Sequence, residues 1–423
     1  MSKWFKLDNA ANIYPSTQTS DWTAMFRISV TLSEDVDLQI LEEAQINTLK
    51  RFPSFAARLR KGMFWHFFEQ IDGAPPILDD IYNPTQPLIF RRNRYFMYRL
   101  LCHKNRISVE FFHALTDGSG AMTFLLSLVA EYLRLKNGIE VVPSKYVFRC
   151  SDSPEPEEYE DAFQRYAGDK SLGLVETPSY HYDGTAVPLN KLLIISAEMP
   201  TEVLRAKAKE YRTSIGAFLA ANLLYSIYKK QKSEKSESAL RHDAKISLPI
   251  NLRQFFPSKT VRNFSSFINP GIKSRLGDYT FEEVLEQVEH FMGMNITEKE
   301  LNARFTGYVK IEKNLLMRLV PLFLKNLLLK IGHSLTANRT SASTISNLGL
   351  VEVDEAMRPY IRRIDLMLGR SYGKRTSCGV VSYNGKTVIN FSRTIVEADI
   401  EQNFFRQLVE MGIPVAIESN GRG

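Results

Sequence analysis

The chain has 423 residues, 44% of them hydrophobic and 11% aromatic, a composition that excludes a disordered polymer and is too long for one ordinary core. Its 54 Lys and Arg exceed 47 Asp and Glu, giving a formal charge of +7. The basic residues are dispersed and carry no zinc-finger, helix-turn-helix or RNP signature, so nucleic acid is set aside, while acidic small molecules and anionic surfaces stay open.

Residues 22–32, WTAMFRISVTL, read as a strand, and the following helix shows apolar spacing at Leu38, Leu41, Ile46 and Leu49 before Pro53 stops it. YFMYRLLCH and ISVEFF flank a polar turn at Lys104, Asn105 and Arg106, which predicts a hairpin ending at His113. A helix, apolar on most faces, is expected from Ala121 to Leu135, closed by Asn137 and Gly138. Residues 151–190 change to acidic, Gly- and Pro-punctuated sequence and read as a solvated crossover between two halves. The second half opens with strand KLLIISAEM, then a helix from Thr201 and an apolar helix capped by Thr213 or Ser214. The strand KISLPINLR, 245–253, ends by presenting Asn251 and Arg253, and a polar loop leads on to Asn263.

Residues 314–332, NLLMRLVPLFLKNLLLKIG, could form a membrane-surface helix, but apolar residues on more than one face favour a buried or interdomain one. STISNLG reads as a strand and tight turn. TSCGVVSYNGKTVINFSR predicts a hairpin with Asn384 and Gly385 in a type I′ turn, and EADIEQNFFRQLVEMGI a closing amphipathic helix. The pattern is α+β, two units with no short repeat. No membrane span is expected, because no apolar run reaches about 18 residues. No signal peptide is legible, which points to the cytoplasm. Cys102, Cys150 and Cys378 are odd in number and lack CxxC spacing, arguing against a disulfide framework and against a zinc site.

His113 ends a predicted buried strand, and Asp117 and Gly118 open a helix four residues later. An imidazole there can protrude into a cleft and, when neutral, take a proton from an alcohol, amine or thiol. Asp117 could orient that imidazole, or turn away and tie the loop down through an ion pair. Gly118 would let backbone or substrate approach closely. With no GxSxG elbow and no flagged Ser or Cys nucleophile, direct transfer is simpler than a covalent route.

His113-Ala-Leu-Thr-Asp117-Gly118 resembles the HxxxDG motif of the chloramphenicol acetyltransferase-like superfamily, closest to its alcohol acetyltransferase and condensation-domain-like branch. LPINLRQFFPSKTVRNF, STISNLG and the C-terminal hairpin and helix resemble further segments of that branch, so the likeness covers nearly the whole chain. It implies two subdomains, residues 1–170 with the motif and 171–423, each a mixed sheet with flanking helices, meeting at a central tunnel. It also implies an O- or N-acyltransferase, a monomer, that takes an acyl group from acyl-CoA or a pantetheine-bearing acyl carrier protein to a hydroxyl or amine acceptor. No bound cofactor or metal is implied.

His113 would be the general base and Asp117 a structural clamp paired with Arg253, supported by Asn251 and Asn263; Ser346 and Asn347 are oxyanion candidates. Phe112 stands where condensation domains commonly carry a second histidine, and the plant-type DFGWG motif is absent. The competing class is a non-catalytic binding or scaffolding protein that keeps the fold.

Overall fold

Aromatic and β-branched runs set the sheets of the protein, whose computed structural model describes residues 4–19, 22–80, 83–173, 176–234, 236–336, 339–371 and 373–421. The first half supplies β1 (Trp4–Lys6), β2 (Met25–Leu32), β3 (Ala57–Lys61), β4 (His66–Gln70), β5 (Ile77–Asp79), β6 (Tyr98–His103) and β7 (Arg106–Phe112). The second supplies β8 (Leu193–Pro200), β9 (Ala244–Asn251), β10 (Ser265–Ile268), β11 (Gly271–Ile272) and β12 (Ser343–Leu350). It continues with β13 (Ile361–Leu368), β14 (Thr376–Tyr383), β15 (Lys386–Arg393) and β16 (Ala416–Ser419).

A five-stranded sheet has the order β13-β2-β7-β6-β5, and an eight-stranded sheet runs β10-β9-β12-β14-β15-β8-β16 with β11 beside β9. The architecture is α+β with mixed sheets, as expected. β13 lies late in the chain yet pairs antiparallel with β2, Ile364 opposite Val30, so the C-terminal part of the chain completes the N-terminal sheet.

The helix Gly118–Asn137 packs behind the five-stranded sheet and starts three residues before its expected onset, because the Asp117 side chain caps it by accepting from Gly120 N–H. Gly138 closes it in the left-handed region, with φ of 68°. Phe52, Phe55, Phe111 and Phe124 form the aromatic centre of this core, the Phe55 and Phe124 rings stacking at 4.7 Å. A second core lies between the larger sheet and the helices Ile215–Ser233 and Asp399–Glu410. The β14–β15 turn takes positive φ at Asn384 and Gly385, as its sequence requires.

Two readings change. The crossover 151–190 is not simply solvated: Ala162 and Phe163 belong to a third core, where Phe163 meets the Phe264 ring edge-on at 5.1 Å. Residues 314–332 are not a buried helix. Asn314 caps Leu315–Leu319, Pro321 starts a new turn, Leu322–Thr336 follows, and most of the large apolar side chains point outward. The inward positions are held by Leu322, Lys325 and Asn326, and the side-chain polar groups of Lys325 and Asn326 find partners on the protein. No helix among the described residues is long and apolar enough to cross a membrane.

Candidate active site

β7 delivers His113 to the point where the sheet gives way to the motif helix, and His113 N–H fastens that point by donating to Ala24 O at 2.8 Å. Leu115 N–H donates to Phe112 O at 2.9 Å, tightening the turn. Asp117 then points away from the imidazole. Its Oδ1 accepts from Gly120 N–H at 3.1 Å, and its Oδ2 accepts from Arg253 Nη1 and from Phe264 N–H, both at 2.8 Å.

Arg253 is held in turn. Its Nε donates to Thr260 O at 2.9 Å and its Nη2 to Arg262 O at 2.5 Å. Asn251 joins the same knot, with Oδ1 accepting from Arg253 Nη1 at 3.2 Å and Nδ2 donating to Ser119 Oγ at 2.9 Å. The segment after β9 is thereby locked onto the first turn of the motif helix.

The glycines divide differently from the sequence reading. A Cβ on Gly118 would lie 2.9 Å from Leu348 Cδ2, so this glycine faces the side chain of β12 rather than a backbone. A Cβ on Gly120 would lie 2.0 Å from Val261 O and 2.3 Å from Thr116 Oγ1. Gly120 is thus where backbones approach closely. We expect Gly120→Ala to cost about 3 kcal/mol, and Gly118→Ala, opposed only by the end of a leucine, about 1 kcal/mol. Urea midpoints would rank the two, and equal values would contradict the geometry.

The imidazole lies between rings and an amide. Tyr14 stacks on it with centroids 4.6 Å apart and planes inclined by 16°, and Phe26 lies 4.9 Å away. His113 Nδ1 is 3.1 Å from Asn263 Oδ1. The amide orientation follows from its other contacts, since Asn263 Nδ2 faces Asp8 Oδ2 at 3.2 Å and Ala114 O at 3.5 Å, both acceptors. Oδ1 therefore faces the ring, Nδ1 carries the proton, and Nε2 holds the lone pair. Asp8, fully buried, is itself braced by Ala11 N–H at 2.7 Å and by Arg262 Nε at 3.5 Å.

Burial lowers the His113 pKa below the ordinary 6.5, and its own carbonyl, the Asp117 charge and Asn263 offset this only in part. His113 is half-buried.

The eight-stranded sheet supplies a polar wall. Ile246, Ile345, Cys378 and Phe391 face the second core, and their neighbours alternate to the opposite face. There Ser247, Thr344, Ser377 and Ser392 stand in register across β9, β12, β14 and β15. The next row is Ser346, Gly379, Asn390 and Ser196. Asn390 Nδ2 donates to Asp365 Oδ1 of β13 at 3.0 Å, and Arg363 donates to Ser196. Ser392 Oγ is buried with no partner among the described residues.

Lys374 closes the first row with Nζ donating to Thr344 Oγ1 at 2.7 Å, and burial pushes its ammonium down to about 8. Ser346 shares the face of Thr344. Asn347 is exposed on the other face, its Oδ1 accepting from Gly349 N–H at 2.8 Å.

Sequence reading paired Asp117 with Arg253, and the two meet. It missed Asp8 and Tyr14. Neither carries a motif: Asp8 precedes the helical turn Ala10–Ile13 and Tyr14 opens the four-residue helix Tyr14–Thr17, and a lone acid before an apolar helical turn was the one available signal.

No protein-family model matches the sequence, and no curated protein aligns with it significantly. Solved structures do resemble it. Polyketide synthase associated protein 5 from Mycobacterium tuberculosis superposes with a TM-score of 0.64 at 14% identity over 96% of each chain. The first condensation domain of the CDA synthetase does so at 0.60, with 13% identity over 97% of each chain. The chain has the condensation-domain-like fold. F. graminearum TRI101, solved with ethyl coenzyme A, shares that chloramphenicol acetyltransferase-like fold at a TM-score of 0.60 and 12% identity, over 98% of this chain and 100% of its own. At such identities the likeness speaks for the fold, in which β7, the motif helix and the segment after β9 hold His113.

Loss of Asn263 should act on the imidazole and, more mildly, on the fold. Asn263→Ala frees the ring to flip and to exchange tautomers, so activity should fall about 10–100-fold, and because it also strips a partner from the buried Asp8 carboxylate it should cost about 1–3 kcal/mol of stability. A mutant as active as the parent would show that the amide does not orient the ring.

Proposed function

We propose that the protein is an acyltransferase that moves an acyl group from acyl-CoA, or from the pantetheine arm of a carrier protein, to a hydroxyl or amine acceptor. The observation that carries this reading is the contact of His113 Nδ1 with Asn263 Oδ1 on a half-buried residue, which assigns the proton to Nδ1 and the lone pair to Nε2. Nε2 takes the acceptor proton as the acceptor oxygen or nitrogen attacks the thioester carbonyl. The tetrahedral intermediate then collapses, the carbon–sulfur bond breaks, and Nε2–H returns the proton to the departing thiolate. Ser346 and Asn347 are the oxyanion candidates, Ser346 through its hydroxyl and Asn347 through the amide N–H groups left to donate while its Oδ1 accepts from Gly349 N–H.

Asp117 and Arg253 fix the turn and take no part in proton transfer in this scheme. Residues 1–170 and 171–423 act as the two subdomains, with β13 carried across to the first. A coenzyme A donor agrees with TRI101, whose structure contains ethyl coenzyme A. Cysteine nucleophiles fit poorly. Burial holds the Cys102 and Cys150 thiols up at about 11 and Cys378 well above its usual value, so all three stay protonated near neutral pH.

Acyl-CoAs of graded chain length, tested against pooled alcohols and amines, should release free thiol only when an acceptor is present. Absence of acceptor-dependent release across the panel would contradict the proposal. The depressed His113 pKa sets the pH profile: the base is neutral above its pKa, so the acid limb of kcat/KM should lie below pH 6.5. A limb above that value would contradict the assignment.

A further inference from the structure

The helix Leu322–Thr336 is amphipathic with its faces reversed. Phe323, Leu324, Leu327, Leu328 and Ile331 follow i, i+1, i+4, i+5 and i+8 spacing, share one face, and are exposed. The face turned to the protein carries the cation. Lys325 is fully buried, its Nζ donating to Phe64 O at 2.9 Å and lying 3.4 Å from the Trp65 ring centroid. The preceding helix continues the outward apolar strip, with Leu315, Leu316 and Leu319 exposed by 69, 77 and 62%. Met63 lies beside it, 74% exposed, its carbonyl accepting from Leu322 N–H at 2.9 Å. An apolar surface of this extent on a soluble chain marks an interaction site.

Its charge identifies the occupant. Residues 313–331 contain four basic residues, Lys313, Arg318, Lys325 and Lys330, and no acidic one. Lys313, Arg318 and Lys330 are exposed at the border of the apolar strip. A second copy of the chain, meeting this patch through a two-fold axis, would set these cations against themselves. A bilayer with anionic headgroups accepts the leucines among its acyl chains and the cations at headgroup level.

We propose that this strip docks the protein on an anionic phospholipid surface. The strip also adjoins the site. Asn326 Oδ1 accepts from Ser16 Oγ at 2.7 Å, and Ser16 belongs to the short helix Tyr14–Thr17, whose Tyr14 ring stacks on His113. Resting on the acyl-transfer reading, docking there would bring the membrane next to the helix that roofs the imidazole, so the acceptor is a membrane-resident, apolar hydroxyl or amine compound.

The test is flotation of the full chain with phosphatidylcholine vesicles, with and without phosphatidylglycerol, compared with a Leu316→Glu, Phe323→Glu, Leu327→Glu triple variant. These side chains are exposed, and circular dichroism checks that the variant is folded. The wild type should float with phosphatidylglycerol vesicles, more weakly as salt rises, and the variant should lose about ten-fold or more in partitioning. A wild type that stays unbound to both vesicles at low salt overturns the proposal. So does a wild-type dimer that the variant converts to monomer without vesicle binding, since a second copy would then cover the strip.

Acceptor class is read separately, by thiol release with a long-chain alcohol in vesicles against a short soluble alcohol. The wild type should favour the vesicle alcohol, and the variant should lose that preference while keeping the soluble reaction; equal preference in both proteins overturns the acceptor class. Flotation without any thiol release would support docking and count against the acyl-transfer reading alone.

Discussion

His113→Ala is expected to lower acyl transfer by about 10²–10⁴-fold while the protein keeps its circular dichroism and urea midpoint. The expectation rests on the separation between what holds the turn and what the imidazole does. The turn is held by backbone bonds, His113 N–H to Ala24 O among them, and by the Asp117 carboxylate, all of which survive loss of the ring. The ring itself contributes a stack with Tyr14, a tilted contact with Phe26 and one contact to Asn263, a modest share of stability. Turnover undiminished in His113→Ala would remove the base assignment. A mutant that fails to fold would instead show that the ring is structural.

Asp117→Ala should act in the opposite way, costing about 3–5 kcal/mol of stability. The Asp117 and Arg253 side chains are only 5 and 13% exposed, so removing the carboxylate strands a guanidinium in the interior together with Phe264 N–H. Arg253→Met should cost a similar amount by stranding the acid. The double variant should cost less than the sum, because neither charge is then left unpaired. Urea denaturation of the four proteins closes the cycle. An Asp117→Ala protein as stable as the parent, yet inactive, would place the aspartate in the chemistry rather than in the scaffold.

The difference between these two residues was partly legible in the sequence. His113, Asp117 and Gly118 lie within six residues at a strand-to-helix boundary, and local patterning is what a sequence displays best. The Asp117–Arg253 contact spans 136 residues, and it was readable only through the likeness of the segment after β9 to the superfamily that the motif resembles.

Asp8 was illegible for a physical reason: one short acid in an irregular N-terminus acquires its role only when Asn263, 255 residues away, is folded against it. β13 was missed because IRRIDLML interleaves charged residues with apolar ones, and its pairing with β2 depends on topology rather than on local propensity. The 314–332 segment misled for the converse reason. Apolar residues normally turn inward, and nothing local signals that Lys325 takes the buried position through Trp65 and Phe64 O.

The central claim is direct transfer from a thioester to an acceptor through His113 Nε2, and the most direct test follows protein and product masses in one reaction. Mixed with an acyl thioester and a competent acceptor, the wild type should yield acylated acceptor and one free thiol per product, with the protein mass unchanged throughout. A chain that gains the acyl mass before product appears would contradict the account, since the transfer would then pass through a covalent nucleophile on the protein.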